Sequence, residues 1–471
     1  MRTVLAFSAL LCLPVAVACG ESSATGRPAP KPLDQATAPL LVHPDDVIEA
    51  GVAAPAGPPG PLDNAAALKR FFAALSHLDD GSASEDVRVV QFGDSHTAAD
   101  LESAMVRRTL QTRFGDGGRG FVEIGRPWKT YIQDGLRAPG MSKEWLPEHG
   151  KLEHGKFVGD GCYGLNGVCL LTAKKGARTW ADISVPASRI EVDYFEQPVG
   201  GSFELLVDGA VVAKVSTKGK VAASAFKTVD VPDLPHHIEL RTATDGEVRV
   251  FGVALDRLQL GIVWDALGIN GARASTTLQW SEPHFKEQLA HRAPHLVVFA
   301  YGTNESADEQ PVETLERQLV DALGRIARSV PTASCLILGP PDRAVESSGG
   351  WITAPKLENI IDMERDVARA AGCAFYNQLA AMGGPGTIAL WSDQTPARAQ
   401  KDRVHYTRDS YAAMGTSFAN DVLRAYANWR AEQGLAPAQN PPPKAVPPPT
   451  LTIPPPHDDE PGSSPFVALP M

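Results

Sequence analysis

Val89-Val90-Gln91-Phe92-Gly93-Asp94-Ser95-His96 reads as a buried strand that ends in a tight corner and opens a helix. The apolar run from Val87 to Phe92 delivers a glycine, an aspartate and a hydroxyl, and the amphipathic stretch Thr97 to Leu110 follows at once. A serine at such a corner leaves the carboxyl end of a strand, where open α/β sheets place their ligands. Its N–H lies at a helix N-terminus, which favours negative charge developing nearby. The residues therefore suit a nucleophile with one oxyanion donor built in. They equally suit an ordinary serine N-cap.

Two downstream segments separate these alternatives. Asp402-Arg403-Val404-His405 precedes the helical stretch Ser410 to Trp429. A serine hydroxyl needs a base to take its proton, and the base needs a carboxylate to orient it and stabilise its cation. Between the two ends lies Leu296-Val297-Val298-Phe299-Ala300-Tyr301-Gly302-Thr303-Asn304-Glu305, a second apolar strand ending in glycine. The Asn304 amide at its carboxyl end is a candidate donor to an oxyanion.

In this order the segments resemble the SGNH, or GDSL-type, hydrolase superfamily of esterases. Gly93-Asp94-Ser95 matches its first block. Gly271, in Leu267-Gly268-Ile269-Asn270-Gly271-Ala272, matches the glycine of its second. Gly302-Thr303-Asn304-Glu305 matches the third, with Glu305 where the family more often has Asp, and Asp402 with His405 match the last. Gly93-Asp94-Ser95-His96 followed by Thr97-Ala98-Ala99-Asp100 is similar to bacterial peptidoglycan O-acetylesterases, as are Phe114 to Phe121 and Gly268 to Ala272. The resemblance spans about 85–145 and 258–430. It implies a three-layer, flavodoxin-like α/β sheet and a Ser95–His405–Asp402 triad. The oxyanion donors it implies are the N–H groups of Ser95 and Gly271 and the Asn304 side chain. No metal or organic cofactor is expected, and the substrate would be an O-acetylated cell-envelope carbohydrate. The same residues would serve a carbohydrate O-acyltransferase, in which a sugar hydroxyl replaces water. A non-catalytic envelope glycan-binding lipoprotein is the alternative from another class.

The 471 residues exceed one ordinary domain. The catalytic domain is expected in two segments of the chain, 61–149 and 258–432. Leu296 to Tyr301, Ser334 to Gly339 and Cys373 to Tyr376 alternate with apolar-striped helices at about 312–328 and 357–371, the pattern of a parallel sheet. A helix is also expected at about 64–78. The region 150–257 differs: seven short strands with turn signals predict an inserted β-sandwich. Val207-Asp208-Gly209-Ala210 and Thr244-Asp245-Gly246-Glu247 read as hairpin turns within it. Resemblance implies a carbohydrate-binding-module-like unit here, while a packing insert without a sugar site explains the same strands.

The formal charge of −11, without a basic block, argues against a nucleic-acid binder. Arg2 and the apolar run Val4 to Ala18 have signal-peptide proportions. Ala16-Val17-Ala18-Cys19 is expected to be a lipoprotein signal with Cys19 lipidated, although Ala16 stands where a lipobox usually has Leu. Ordinary cleavage after Ala18 is the alternative. Either route exports the protein, to the periplasm, to the outer membrane as a lipoprotein, or beyond the cell. Any membrane contact would run through that anchor alone. Residues 20–60 read as a Pro/Ala-rich spacer, and 433–471, with three Pro-Pro-Pro runs, as a disordered tail. Cys162 and Cys169 flank a short loop and are expected to pair in an oxidising compartment. Cys335 and Cys373 read as inert core thiols, with a bridge between adjacent strands as the alternative. His236, His237, His291 and His295 lack a ligand set for metal. Tyr301 and Trp391 are candidates for a sugar pocket as well as for the core.

Overall fold

The computed structural model describes residues 61–151 and 159–436. The expected signal peptide, Cys19, the expected spacer and the proline-rich stretch beyond 436 lie outside them. The first large sheet has six strands in the order Leu62–Asp63, Ala374–Asn377, Ser334–Gly339, Leu296–Ala300, Val87–Gly93 and Ile262–Gly268. All pairings are parallel except that of the short edge strand Leu62–Asp63. Numbered along the chain, the five parallel strands run 2-1-3-4-5, the flavodoxin-like order.

Both faces of this sheet are covered. Val87, Val89, Leu296, Val298, Leu336, Leu338, Ala374 and Tyr376 pack on one side with helices Lys69–Asp79, Glu102–Phe114 and Arg408–Glu432. Val90, Phe92, Val297, Phe299, Cys335, Ile337 and Phe375 point the other way, toward helices Glu282–Arg292, Val312–Ser329 and Leu357–Ala370. Burial on both faces is why Leu296–Ala300 and Ser334–Gly339 read as near-continuous apolar runs and not as alternating ones, while Val87–Gly93 carries only Arg88 and Gln91 among its apolar residues. Cys335 and Cys373 are joined in a disulfide, so they are not inert thiols; the sheet order brings the two segments together.

Register places the functional loops at one level. Gly93 lies opposite Gly268 on one side and Ala300 on the other. The chain reverses its direction of travel across the sheet between Val87–Gly93 and Leu296–Ala300, the switch point where such sheets bind ligands. Gly93 is required there. A Cβ on it would collide with the Thr97 hydroxyl and the Ala300 carbonyl.

The helix after Ser95 is not continuous. Ser95–Ala98 forms one turn, and Glu102–Phe114 starts afresh. Asp100 breaks it with φ of 45°. Its buried carboxylate accepts from Arg119 at 2.6 Å, from Arg107 at 3.3 Å and from the Asp134 N–H at 3.0 Å. Ion pairs to residues far along the chain thus override the local helical pattern.

The second large sheet has nine strands. It begins at Gly118–Val122 and also takes Leu136–Met141 and Leu146–His149, upstream of the expected boundary at 150. The seven strands expected between 150 and 257 are here fewer and longer. Arg178–Glu196 and Ala223–Thr242 are each one strand, paired with each other. Asp208 and Gly209, with φ of 51° and 81°, make the expected hairpin between Ser202–Val207 and Ala210–Ser216. The turn at 244–247 is not a hairpin: the strands it joins, Ala223–Thr242 and Val248–Asp256, flank Arg178–Glu196 on opposite sides.

Cys162 and Cys169 are not joined to each other; Cys169 is a free, buried thiol. The turn between them bonds the Gly164 N–H to Val168 C=O at 2.8 Å. The two residues nonetheless lie in one buried cluster, so proximity alone does not pair them.

The two sheets share a core. Phe195, Phe251 and Ala254 of the second sheet cluster with Phe285 and Leu289 of the helix that covers the first. Buried charges cross the same junction. Asp265 accepts from the Phe121 N–H at 2.7 Å and from Arg292 at 2.7 Å, and Arg292 also donates to Asp256 at 3.0 Å.

Candidate active site

Ser95, His405 and Asp402 meet above the switch point. His405 Nδ1 lies 2.7 Å from Asp402 Oδ2, and His405 Nε2 lies 2.8 Å from Ser95 Oγ. With Nδ1–H donating to the carboxylate, Nε2 accepts from the serine hydroxyl. Asp402 Oδ1 accepts from the N–H groups of Val404 at 3.0 Å and His405 at 3.1 Å. Burial pushes the Asp402 carboxyl up, but the bond and charge of His405 and these N–H groups outweigh it and hold it down at about 2. The acid is therefore ionised across the neutral range.

Asp94 caps the turn that carries Ser95 by accepting the His96 N–H at 2.9 Å. His96 packs its ring 5.2 Å from that of His405, centroid to centroid, but its Nδ1 bonds Tyr411 Oη at 2.9 Å. Burial, then the neighbouring His405 charge, lower it to about 3, so it is neutral and lies behind His405. Gly271 sits in a left-handed turn with φ of 74°, and a Cβ there would meet open space. The Ala272 N–H bonds Ile269 C=O at 3.0 Å, and the Ile269 N–H bonds Gly93 C=O at 3.0 Å, which anchors this loop to the end of the serine strand.

Asn304 departs from the expected arrangement. Its Nδ2 donates to Ala272 C=O at 2.9 Å and to Asp94 Oδ2 at 3.3 Å. Both amide hydrogens are thus engaged within the protein. Glu305, which replaces the usual Asp, is buried and accepts from the Ala274 N–H at 2.8 Å and the Gly302 N–H at 3.0 Å. It ties the Asn304 loop to the Gly271 loop. The longer side chain spans that gap, a relation that the local motif does not reveal.

Tyr301 and Trp391 are buried and pack on Phe299 and Tyr406; Tyr301 also lines a small cavity with Asp94, His96 and Thr303. His236, His237 and His291 pair with Asp208, Asp182 and Glu191, and the Arg88 N–H donates to His295. No group of three or more His, Cys, Asp and Glu side chains is placed to hold a metal among the described residues. No helix there is long and apolar enough to cross a membrane.

Buried carboxyls lie beneath and around the site. Burial raises Asp94 to about 6, Glu305 to about 7 and Glu102, which accepts from Gln378, to about 8. Burial likewise raises Glu123, just beyond strand Gly118–Val122, to about 7. Such a group holds its proton more tightly folded than unfolded. Its contribution is full below the unfolded value of about 4 and is lost as pH rises through the folded value. Asp402, shifted the other way, contributes above about 4 and loses its effect only in strong acid. The thermal midpoint is therefore expected to fall as pH rises from 6.5 to 8.5, by at least about 3 °C. Glu102→Gln should flatten the slope. A midpoint that holds or rises across this window in differential scanning fluorimetry would contradict the assignment.

No family model and no curated protein matches the sequence. Among solved structures, a peptidoglycan O-acetylesterase "in action" is similar at 24% identity and a TM-score of 0.67, over 78% of this chain and 100% of that one. This shows a common fold. A family two carbohydrate esterase from Clostridium thermocellum in complex with cellohexaose matches at 12% identity, over 56% of this chain and 95% of that one. Its TM-score of 0.24 is too low to carry weight.

Proposed function

We propose that the protein is a serine esterase that removes O-acetyl groups from cell-envelope carbohydrate, with peptidoglycan as the substrate class. The observation that carries this is the Asp402–His405–Ser95 hydrogen-bonded relay, set at the switch point of a fold shared with a peptidoglycan O-acetylesterase. Ser95 Oγ attacks the acetyl carbonyl while His405 Nε2 takes its proton. Asp402 keeps Nδ1–H in place and stabilises the imidazolium. As the tetrahedral intermediate collapses, His405 returns the proton to the sugar oxygen and an acetyl-enzyme remains. Water, deprotonated by His405, then releases acetate. Export is included in the proposal, and the Cys335–Cys373 bridge supports it, because such bonds persist in oxidising compartments. Cys19 remains the proposed lipid anchor. The test is acetate release from O-acetylated peptidoglycan and from 4-nitrophenyl acetate by wild type and Ser95→Ala.

The oxyanion donors proposed are the N–H groups of Ser95 and Gly271 and the Asn304 amide. For Asn304 to serve, the longer of its two bonds, that to Asp94, must give way to the oxyanion. Charge on the substrate oxygen appears only in the transition state, so the exchange is favoured there and not in the ground state. Asn304→Ala is expected to lower kcat by about 10²–10³ with little change in KM. A change confined to KM would make Asn304 a substrate-binding residue instead.

A further inference from the structure

A two-stranded hairpin, Ala344–Ser347 paired with Gly350–Thr353, stands apart from both large sheets. Its stem is pinned to the catalytic loops. The Ala344 N–H donates to Arg403 C=O at 3.0 Å, and the Ala354 N–H to Arg343 C=O at 2.7 Å. Arg343 Nη1 reaches Thr303 C=O at 3.2 Å, and Thr353 Oγ1 donates to fully buried Asp342 at 2.8 Å. The stem thus touches both the loop of Asn304 and the loop of Asp402 and His405.

This hairpin carries Trp351, 40% exposed. It is the one exposed aromatic side chain among the described residues. Arg403 Cζ lies 4.1 Å from the centre of its ring. That guanidinium is itself held by Asp393 at 2.8 Å and Lys401 C=O at 3.2 Å. Arg403 sits between Asp402 and His405 in the left-handed region, with φ of 55°, a conformation unfavourable for a non-glycine residue and kept here by its neighbours. One face of the indole is stacked on a fixed cation, so the ring is oriented before any ligand arrives. Its outward exposure leaves apolar area for a flat partner. A pyranose ring offers such a face, lined by C–H bonds and rimmed by hydroxyls.

We propose that Trp351, oriented by Arg403, is a carbohydrate subsite next to the loop that carries Asp402 and His405, stacking on a sugar ring of the glycan that bears the ester. The identity of the ligand rests on the carbohydrate-ester function proposed above. Arg403 is a positioning residue, since it acts through the ring. The subsite would hold the polymer by its backbone and leave the acetyl group to the Ser95 loop.

The test is calorimetric titration of the Ser95→Ala protein with a pentamer of β-1,4-linked N-acetylglucosamine. Trp351→Ala in that background is expected to weaken binding by about 10-fold or more, and Trp351→Phe to restore most of it. With Ser95 intact, Trp351→Ala should lower the ratio of kcat/KM on O-acetylated glycan to that on 4-nitrophenyl acetate by a similar factor, through KM. No binding of the pentamer by Ser95→Ala overturns the proposal, and so does equal binding with and without Trp351. A matched fall on both esters also overturns it, because that would make Trp351 a prop for the His405 loop. Calorimetry needs no turnover, so a wild-type protein that cleaves no ester would sink the proposed esterase function while the subsite is still decided by binding.

Discussion

Ser95→Ala is expected to lower ester turnover by about 10³-fold or more while leaving the fold intact. The hydroxyl's structural partner is His405 Nε2 at 2.8 Å, and Ser95 is only partly buried, so its removal opens no core cavity. The turn itself is held by Asp94, through the His96 N–H, and does not need the hydroxyl. His405→Ala should cost as much, since an unactivated serine is a weak nucleophile. The double variant should be little worse than either single one, because nucleophile and base act as a unit. Residual activity would come from the remaining oxyanion donors. The measurement is acetate release per enzyme, with circular dichroism to show equal folding. Near-normal turnover by Ser95→Ala would remove the proposed mechanism, and strictly additive losses would mean that the two residues serve separate steps.

The sites that were legible in the sequence share a physical cause. Val87–Gly93, Leu296–Ala300 and Ser334–Gly339 are mostly buried on both faces, so apolar residues dominate them and their ends are marked by small residues. The Asp402–His405 pairing is local, three residues apart on one loop. What was hidden depends on distant partners. The Cys335–Cys373 bridge follows from which strands are neighbours, and Cys162 and Cys169 stay unjoined although they share one buried cluster. The helix break at Asp100 needs Arg119, whose contact no local pattern displays. The strand Gly118–Val122 begins in a glycine-rich stretch that has the composition of a loop, yet it pairs with Val248–Asp256. The engagement of Asn304 by Asp94 and Ala272 likewise joins three separate loops.

Excising residues 150–257 with a short linker is expected to abolish soluble enzyme, and with it activity on small esters and on insoluble glycan alike. Were the region a free-standing sandwich on a loop, the catalytic sheet would survive its loss. The structure points the other way. Strand Gly118–Val122 would lose its partner Val248–Asp256, and Leu146–His149 would lose Val168–Thr172. Arg292 would keep Asp265 but lose both of its bonds to Asp256, and losing a charged partner from a buried ion-pair network costs up to about 3–5 kcal/mol. Phe285 and Leu289 would lose Phe195, Phe251 and Ala254 from their shared core, at several kcal/mol more. Against a total of about 5–15 kcal/mol for a typical domain, these losses suffice to unfold it. The region also reaches the site itself: Lys151 Nζ donates to Asn270 C=O at 3.0 Å, beside Gly271, and Trp280 Nε1 to Gly150 C=O at 2.8 Å. Displacing the Gly271 loop by about 1 Å can cost 10²-fold in rate even in a chain that folds. Size-exclusion chromatography and 4-nitrophenyl acetate turnover decide the matter. A monodisperse deletion protein with wild-type activity on the small ester would show that the second sheet is a separable module, and that the charges and aromatics at the junction do not hold the catalytic sheet together.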